Sequence, residues 1–369
     1  MSSSMTWAKR FFTAANAFSS ATIAAGLIAS SGLLAIAAPE TVQLIGSIDN
    51  HFGINMTYTR DGEKIEGSYR YGTSKKALTI KGTIDGSGKF RAQESDASGH
   101  KTGSFSGQLI DSKRIVGTWS KPDGDAASAV PFLLCLTGKP GVLDQGKDGI
   151  LLTQQKKRLA KIGHPTSPQA DISLPVVNAS LIDDKHVAEL LQNALSVKNM
   201  SGQSMNEWMD GGWLDEMNYV VNYNRNYLLD CDLNISGCAA YPSGVTRHLL
   251  LDTKTGKRLK AIDVFKADTI KALKDLVNKK IDAEAKQAIN QTASEQNEDL
   301  ETVKELLKEG RKGDPLEVFS INDKGVTFRH DWSFPHAALA LQPDGTYFFP
   351  FSELASYIKH DGPLGVFVK

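Results

Sequence analysis

Between Leu44 and Trp119 the chain repeats one short pattern: apolar, any, glycine, any, apolar. It appears as Leu44-Gly46-Ile48, Ile65-Gly67-Tyr69, Ile80-Gly82-Ile84, Phe105-Gly107-Leu109 and Ile115-Gly117-Trp119. A period of two places each glycine and its apolar neighbours on one face of a strand, with polar residues on the other. Glycine weakens a strand, so its recurrence at equivalent positions points to strongly bent strands or to large neighbouring side chains lying over the missing Cβ. Turn signals separate the repeats at Arg60-Asp61-Gly62, Asp85-Gly86-Ser87-Gly88, Ser98-Gly99-His100 and Pro122-Asp123-Gly124. The pattern predicts seven or eight short strands over residues 41–137, an all-β antiparallel meander curled into a small barrel or half-barrel. Tyr69, Tyr71 and Trp119 are expected to pack its interior, with ligand lining as the alternative.

Beyond it, residues 138–170 read as a Gly- and Pro-rich linker. Within this linker Gly149–Lys161 is expected to form a short basic helix, with Lys156, Lys157 and Arg158 on a solvated face. From Asp171 to Lys369 strand and helix periods mix, which predicts a second, α+β domain with an antiparallel sheet and helices. Asp171–Val177 reads as a strand, and Asp183 as the N-cap of a helix over Asp184–Val197. Tyr219–Cys231 and Thr246–Asp252 read as strands, and Asp268–Glu309 as a helical tract interrupted near Gln291–Asn297. The closing stretch predicts a hairpin at Lys324-Gly325, another at Pro343-Asp344-Gly345, and a helix over Phe351–Lys359.

Residues 1–38 do not fit either domain. Lys9 and Arg10 precede an uncharged run ending Ala35-Ile36-Ala37-Ala38-Pro39. This is the basic, apolar and small-residue order of a secretory signal peptide, with cleavage expected near Ala37 or Ala38. A retained anchor is the alternative, since about 18 apolar residues can just span a bilayer. The expectation is an exported protein, periplasmic or released. Lys plus Arg equals Asp plus Glu at 42 each, which removes the electrostatic case for nucleic acid or an anionic membrane surface as partner. In an oxidising compartment Cys231 and Cys238 are expected to form a disulfide across the stretch CDLNISGC, worth about 2.5 kcal/mol. Two buried thiols are the alternative there, and Cys135 reads as a small buried hydrophobe.

Candidate chemistry is sparse. The chain has no nucleophile elbow, phosphate loop or zinc spacing, and no cofactor is expected. His330, Asp331 and His336 form the most metal-like cluster, but strand alternation turns His330 and Asp331 to opposite sides, so no metal site is expected. Asp183-Asp184 and Asp215-Glu216 are adjacent carboxylates read as caps or solvated positions. Ser243 near His248 lacks a third partner for nucleophilic catalysis. More informative is a set of aromatics among polar neighbours, Trp208, Trp213, Tyr241, Trp332 and Phe334, suited to stacking on sugar rings or anchoring a protein partner.

The run HLLLDTKTGKRLKAIDVF, the helices after it, and then VFSINDKGVTFRH and YFFPFSELASYI resemble the C-terminal domain of the RsiV-like family. That extracytoplasmic domain is found in a membrane anti-sigma factor and in a peptidoglycan deacetylase. The first part of the chain resembles a β-strand module of exported bacterial proteins. The RsiV-like resemblance implies a recognition module, with a lysozyme-like protein or peptidoglycan as partner. Where the family has a Gly-Gly-Ala-His-Pro-like turn, this chain has Cys238-Ala239-Ala240-Tyr241-Pro242. Where the family is tyrosine-rich, it has Asp331-Trp332-Ser333-Phe334-Pro335-His336. Tyr241, Asp331, Trp332, Phe334 and His336 are therefore the candidate ligand-binding residues of an exported, non-catalytic binding protein of the cell envelope. A peptidoglycan-acting enzyme using Asp331, His336 or Asp215, and a structural envelope protein, are the alternatives.

Overall fold

The computed structural model describes residues 39–369 except 73, 111–113, 125, 138–148, 162–168, 183, 239–240 and 295–299. The expected leader, and the Gly- and Pro-rich parts of the linker, lie outside the described residues. Strands β1 (Glu40–Ile48), β2 (Phe52–Asp61), β3 (Lys64–Tyr71), β4 (Leu78–Ile84), β5 (Lys89–Ser95), β6 (Lys101–Ile110), β7 (Arg114–Ser120) and β8 (Val130–Leu136) pair in sequence order. An antiparallel β1–β8 ladder closes the barrel. The alternation read from the sequence is its inside: Leu44, Ile48, Ile65, Tyr69, Ile80, Ile84 and Phe105 are all buried in one core with Phe90 and Phe132.

The glycines answer to close backbone approach. A Cβ on Gly82 would sit 1.9 Å from the Arg91 carbonyl oxygen, and one on Gly117 would sit 2.1 Å from that of Ser106. Only glycine lets the strands coil this tightly, and tight coiling is what an eight-stranded barrel requires. The interior also holds a carboxylate. Glu94, 2% exposed, accepts hydrogen bonds from Tyr69 Oη (2.5 Å), Thr102 Oγ1 (2.6 Å) and Trp119 Nε1 (2.8 Å).

The second part is a six-stranded sheet backed by helices and a smaller sheet. Strands β9 (Leu152–Ala160), β10 (Gln169–Val177), β11 (Leu214–Arg225), β12 (Leu228–Cys238), β13 (Pro242–Asp252) and β14 (Lys257–Arg258) lie in spatial order β14-β13-β12-β11-β10-β9. All neighbours are antiparallel except β10 and β11. Helices α1 (Lys185–Ala194), α2 (Val197–Ser201) and α3 (Met205–Met209) accompany one face, where Met217, Tyr219, Leu229, Cys231, Leu233 and Leu249 pack with Val187, Leu191 and Met200. On the other face Leu228 and Leu250 pack with α4 (Ala261–Val264), α5 (Ile270–Ser294), α6 (Leu300–Gly310) and the sheet of β15 (Val318–Ile321), β16 (Gly325–Arg329) and β17 (Thr346–Pro350). The chain closes with α7 (Phe351–Leu354), which stops short of the expected Lys359. There Ile358 instead bridges to Phe265.

Three expectations are corrected. The stretch read as a basic helix in the linker is strand β9, paired along its length with β10, and its cations lie exposed on an edge strand. The helix cap falls one residue later than expected: Asp184 accepts from the amides of His186 and Val187. The Cys231–Cys238 disulfide is replaced by a continuous strand. Asn226 and Tyr227, at φ 54° and 62°, form a two-residue turn that reverses the chain early, so Leu228–Cys238 runs unbroken between β11 and β13. Seven residues along a strand put the two cysteines on the order of 20 Å apart and on opposite faces, whereas a disulfide needs Cα atoms within about 7 Å. Cys135, as expected, is fully buried; it packs with Leu133 and Leu151 where barrel and sheet meet.

Candidate functional site

The β12–β13 connection and the segment after β16 are 95 residues apart in sequence and meet in space. The rings of Tyr241 and His336 stack with centroids 5.1 Å apart and planes 27° from parallel. His336 Nε2 lies 3.2 Å from the Pro242 carbonyl oxygen, an acceptor only, so this nitrogen donates. Tyr241 is 65% exposed, the most exposed large hydrophobic side chain described. The next residues extend the feature inward: Trp213 Nε1 donates to Ser243 Oγ at 2.9 Å, and Trp208 lies 5.7 Å from Trp213, ring to ring. Trp208 Nε1 in turn donates to Ser201 Oγ. Trp213 and Trp208 are partly buried and pack against the core on the α1–α3 face, which leaves the Tyr241–His336 stack as the exposed aromatic rim at this end of β12 and β13.

Of the candidate residues, Tyr241 and His336 come together. Asp331 is exposed, and its carboxylate is engaged by the Ser333 amide at 2.8 Å. Trp332 and Phe334 are not surface residues: at 1% and 6% exposure they belong to the large core around α5 and β16. The alternation through Asp331-Trp332-Ser333-Phe334 turns every second side chain inward. Glu284 on α5 then satisfies the buried polar edges, accepting from Trp332 Nε1 (3.3 Å), Tyr347 Oη (2.5 Å) and the Gly345 amide (3.2 Å).

The adjacent carboxylates Asp215 and Glu216 are engaged by separate partners. Asp215 accepts from Lys161 Nζ at 2.6 Å, and Glu216 from Asn218 Nδ2 at 2.7 Å. Ser243 and His248 are five positions apart on one strand and so point to opposite faces. Among the described residues no group of three or more His, Cys, Asp and Glu is arranged to hold a metal ion.

A second polar cluster lies outside the residues singled out from the sequence. Asp230 and Asp232 alternate on β12 and share a face. Asp232 lies 2.5 Å from His248 Nδ1. Burial raises its pKa, but the hydrogen bond and charge of His248 outweigh this and leave it lowered. Asp230 is 1% exposed and takes the Ile321 amide (2.7 Å) on one oxygen and Asn222 Nδ2 (2.9 Å) on the other. Desolvation pushes its pKa up to about 7, against those two hydrogen bonds. With both oxygens occupied, Asp230 is a tether between the six-stranded sheet and β15. The signal that could have revealed it is the Asp-Cys-Asp spacing, which puts two carboxylates on one strand face.

No family model and no curated protein matches the chain. Several solved structures are similar to it, two of them of the DUF3298 family. A DUF3298-family protein of Bacteroides fragilis shares 17% identity at a TM-score of 0.38, covering 61% of this chain and 99% of its own. A DUF3298-family protein of Pseudomonas aeruginosa shares 13% identity, also at a TM-score of 0.38, covering 58% and 96%.

Proposed function

We propose that the protein is an exported, non-catalytic recognition protein of the bacterial cell envelope whose aromatic rim binds cell-wall glycan. The observation that carries this is the outward-facing Tyr241–His336 stack, assembled from two distant segments. A largely exposed aromatic ring held in place by a second ring offers a pre-set apolar face for a sugar ring, at little cost in side-chain entropy. Asp331, five residues before His336, already accepts from the Ser333 amide, and Asp215 from the Lys161 ammonium, which supports binding over acid–base chemistry. The resemblance of HLLLDTKTGKRLKAIDVF and VFSINDKGVTFRH to the RsiV-like domain favours a lysozyme-like protein as the second reading, through the same rim. Co-sedimentation with purified, insoluble peptidoglycan, set beside capture on immobilised lysozyme, tests both. Retention by peptidoglycan supports the first reading, retention by lysozyme alone the second, and retention by neither contradicts the assignment.

A further inference from the structure

The turn between β1 and β2 is a polar bridge from the barrel to the six-stranded sheet, and His51 is its centre. The imidazole lies flat on the Tyr219 ring, centroids 4.2 Å apart and planes 11° from parallel. Its Nε2 is 2.9 Å from the Tyr219 carbonyl oxygen and its Nδ1 is 2.5 Å from the Asp49 carbonyl oxygen. Both partners can only accept. A neutral imidazole carries one N–H and satisfies one of them; the imidazolium carries two and satisfies both. The same turn makes three further links: Tyr219 Oη donates to the Asn50 carbonyl (2.8 Å), Asn224 Nδ2 to Asn50 Oδ1 (3.1 Å), and the Gln154 amide to the His51 carbonyl (2.9 Å). Asp49 and Asn50 hold φ at 57° and 52°, the left-handed conformation of a tight turn, which Asp and Asn tolerate better than other non-glycine residues.

Beside the turn lies a cleft of about 420 Å³. The barrel supplies one wall through Val116, Thr118 and Leu133, and β11 the other through Asn222 and Asn224. We propose that His51 is a proton-operated latch: the imidazolium clamps the turn to the sheet through Nε2, and deprotonation, with the remaining N–H held on Nδ1 against Asp49, frees the Tyr219 carbonyl and lets this cleft widen. The titratable groups around the ring are the Asp49 carboxylate, with Oδ2 3.9 Å from Nδ1, the Tyr219 phenol, and the Cys231 thiol behind that phenol on β12. Burial raises the pKa of both the phenol and the thiol, so they stay neutral where an imidazole titrates. From β9, β2 and β8 the turn meets Gln154, Phe52 and Pro131, none of which titrates. The switch is therefore set by His51 and Asp49. It does not depend on the recognition rim.

Hydrogen exchange of the Gln154 amide in the full chain, corrected for intrinsic rate, tests this between about pH 5.5 and about pH 8. The expected result is a loss of protection of about tenfold as pH rises, the scale set by one partly buried carbonyl losing its donor. In His51→Gln, protection becomes independent of pH. In Asp49→Asn, which keeps the backbone carbonyl and removes the carboxylate, the midpoint moves to lower pH. Protection that is flat with pH in the wild type, pH dependence that survives in His51→Gln, or an unmoved midpoint in Asp49→Asn overturns the proposal.

Discussion

Asp230 shows how one buried carboxyl makes a fold sensitive to pH. It binds its proton more tightly folded, at about 7, than at its ordinary value of 3.8. Its contribution to stability is therefore fully present below the unfolded value and is lost as pH rises through about 7. The wild-type protein should gain stability, on the order of a few kcal/mol, between neutrality and about pH 4 from this group. Asp232, whose pKa is lowered, contributes above its ordinary value and loses that contribution only below it. Asp230→Asn should flatten the profile between about pH 4 and about pH 7, measured by urea unfolding at several pH values. At the same scale Trp332 and Tyr241 part company. Trp332→Ala empties a core position and leaves a Glu284 oxygen without one donor, and should cost about 3–5 kcal/mol in the same assay. Tyr241→Ala should leave stability within about 0.5 kcal/mol.

The barrel strands are where sequence and structure agree most closely, because a period of two combined with recurrent glycine has few other solutions. Gly82→Ala tests the reason. A methyl group 1.9 Å from the Arg91 carbonyl oxygen must push β4 from β5, so a loss of at least about 2 kcal/mol is expected in thermal or urea unfolding. A neutral result would mean that the strand approach is not what the glycine serves. Two other elements were illegible for identifiable reasons. Ile150, Leu151 and the cations after them suit a helix face equally well, and only pairing with β10 makes this stretch a strand. The Asn226-Tyr227 turn lacks the glycine that marks such reversals, so one expected strand is in fact a hairpin. The same hidden turn carried Cys231 and Cys238 onto one strand. In the candidate site, Tyr241 and His336 were legible as exposed ring residues beside prolines. The burial of Trp332 was not, because its partner Glu284 lies 48 residues away on α5.

At the scale of the whole molecule, barrel and sheet are joined by a small apolar cluster of Leu133, Cys135 and Leu151 and by the polar turn at His51. Residues 39–369 form one compact unit. A single cooperative unfolding transition is expected in calorimetry. Leu133→Ala, which opens the apolar cluster at a cost of about 2–5 kcal/mol, should resolve it into two. The Tyr241–His336 stack lies at the surface of this unit. The most direct measurement is the affinity of the folded protein for soluble peptidoglycan fragments, wild type against Tyr241→Ala and His336→Ala, by calorimetric titration. Either substitution should weaken binding at least about tenfold while the melting temperature holds, as expected for an anchoring aromatic contact. Binding that is unchanged in both variants, or no binding by the wild type, would contradict glycan recognition by the stack.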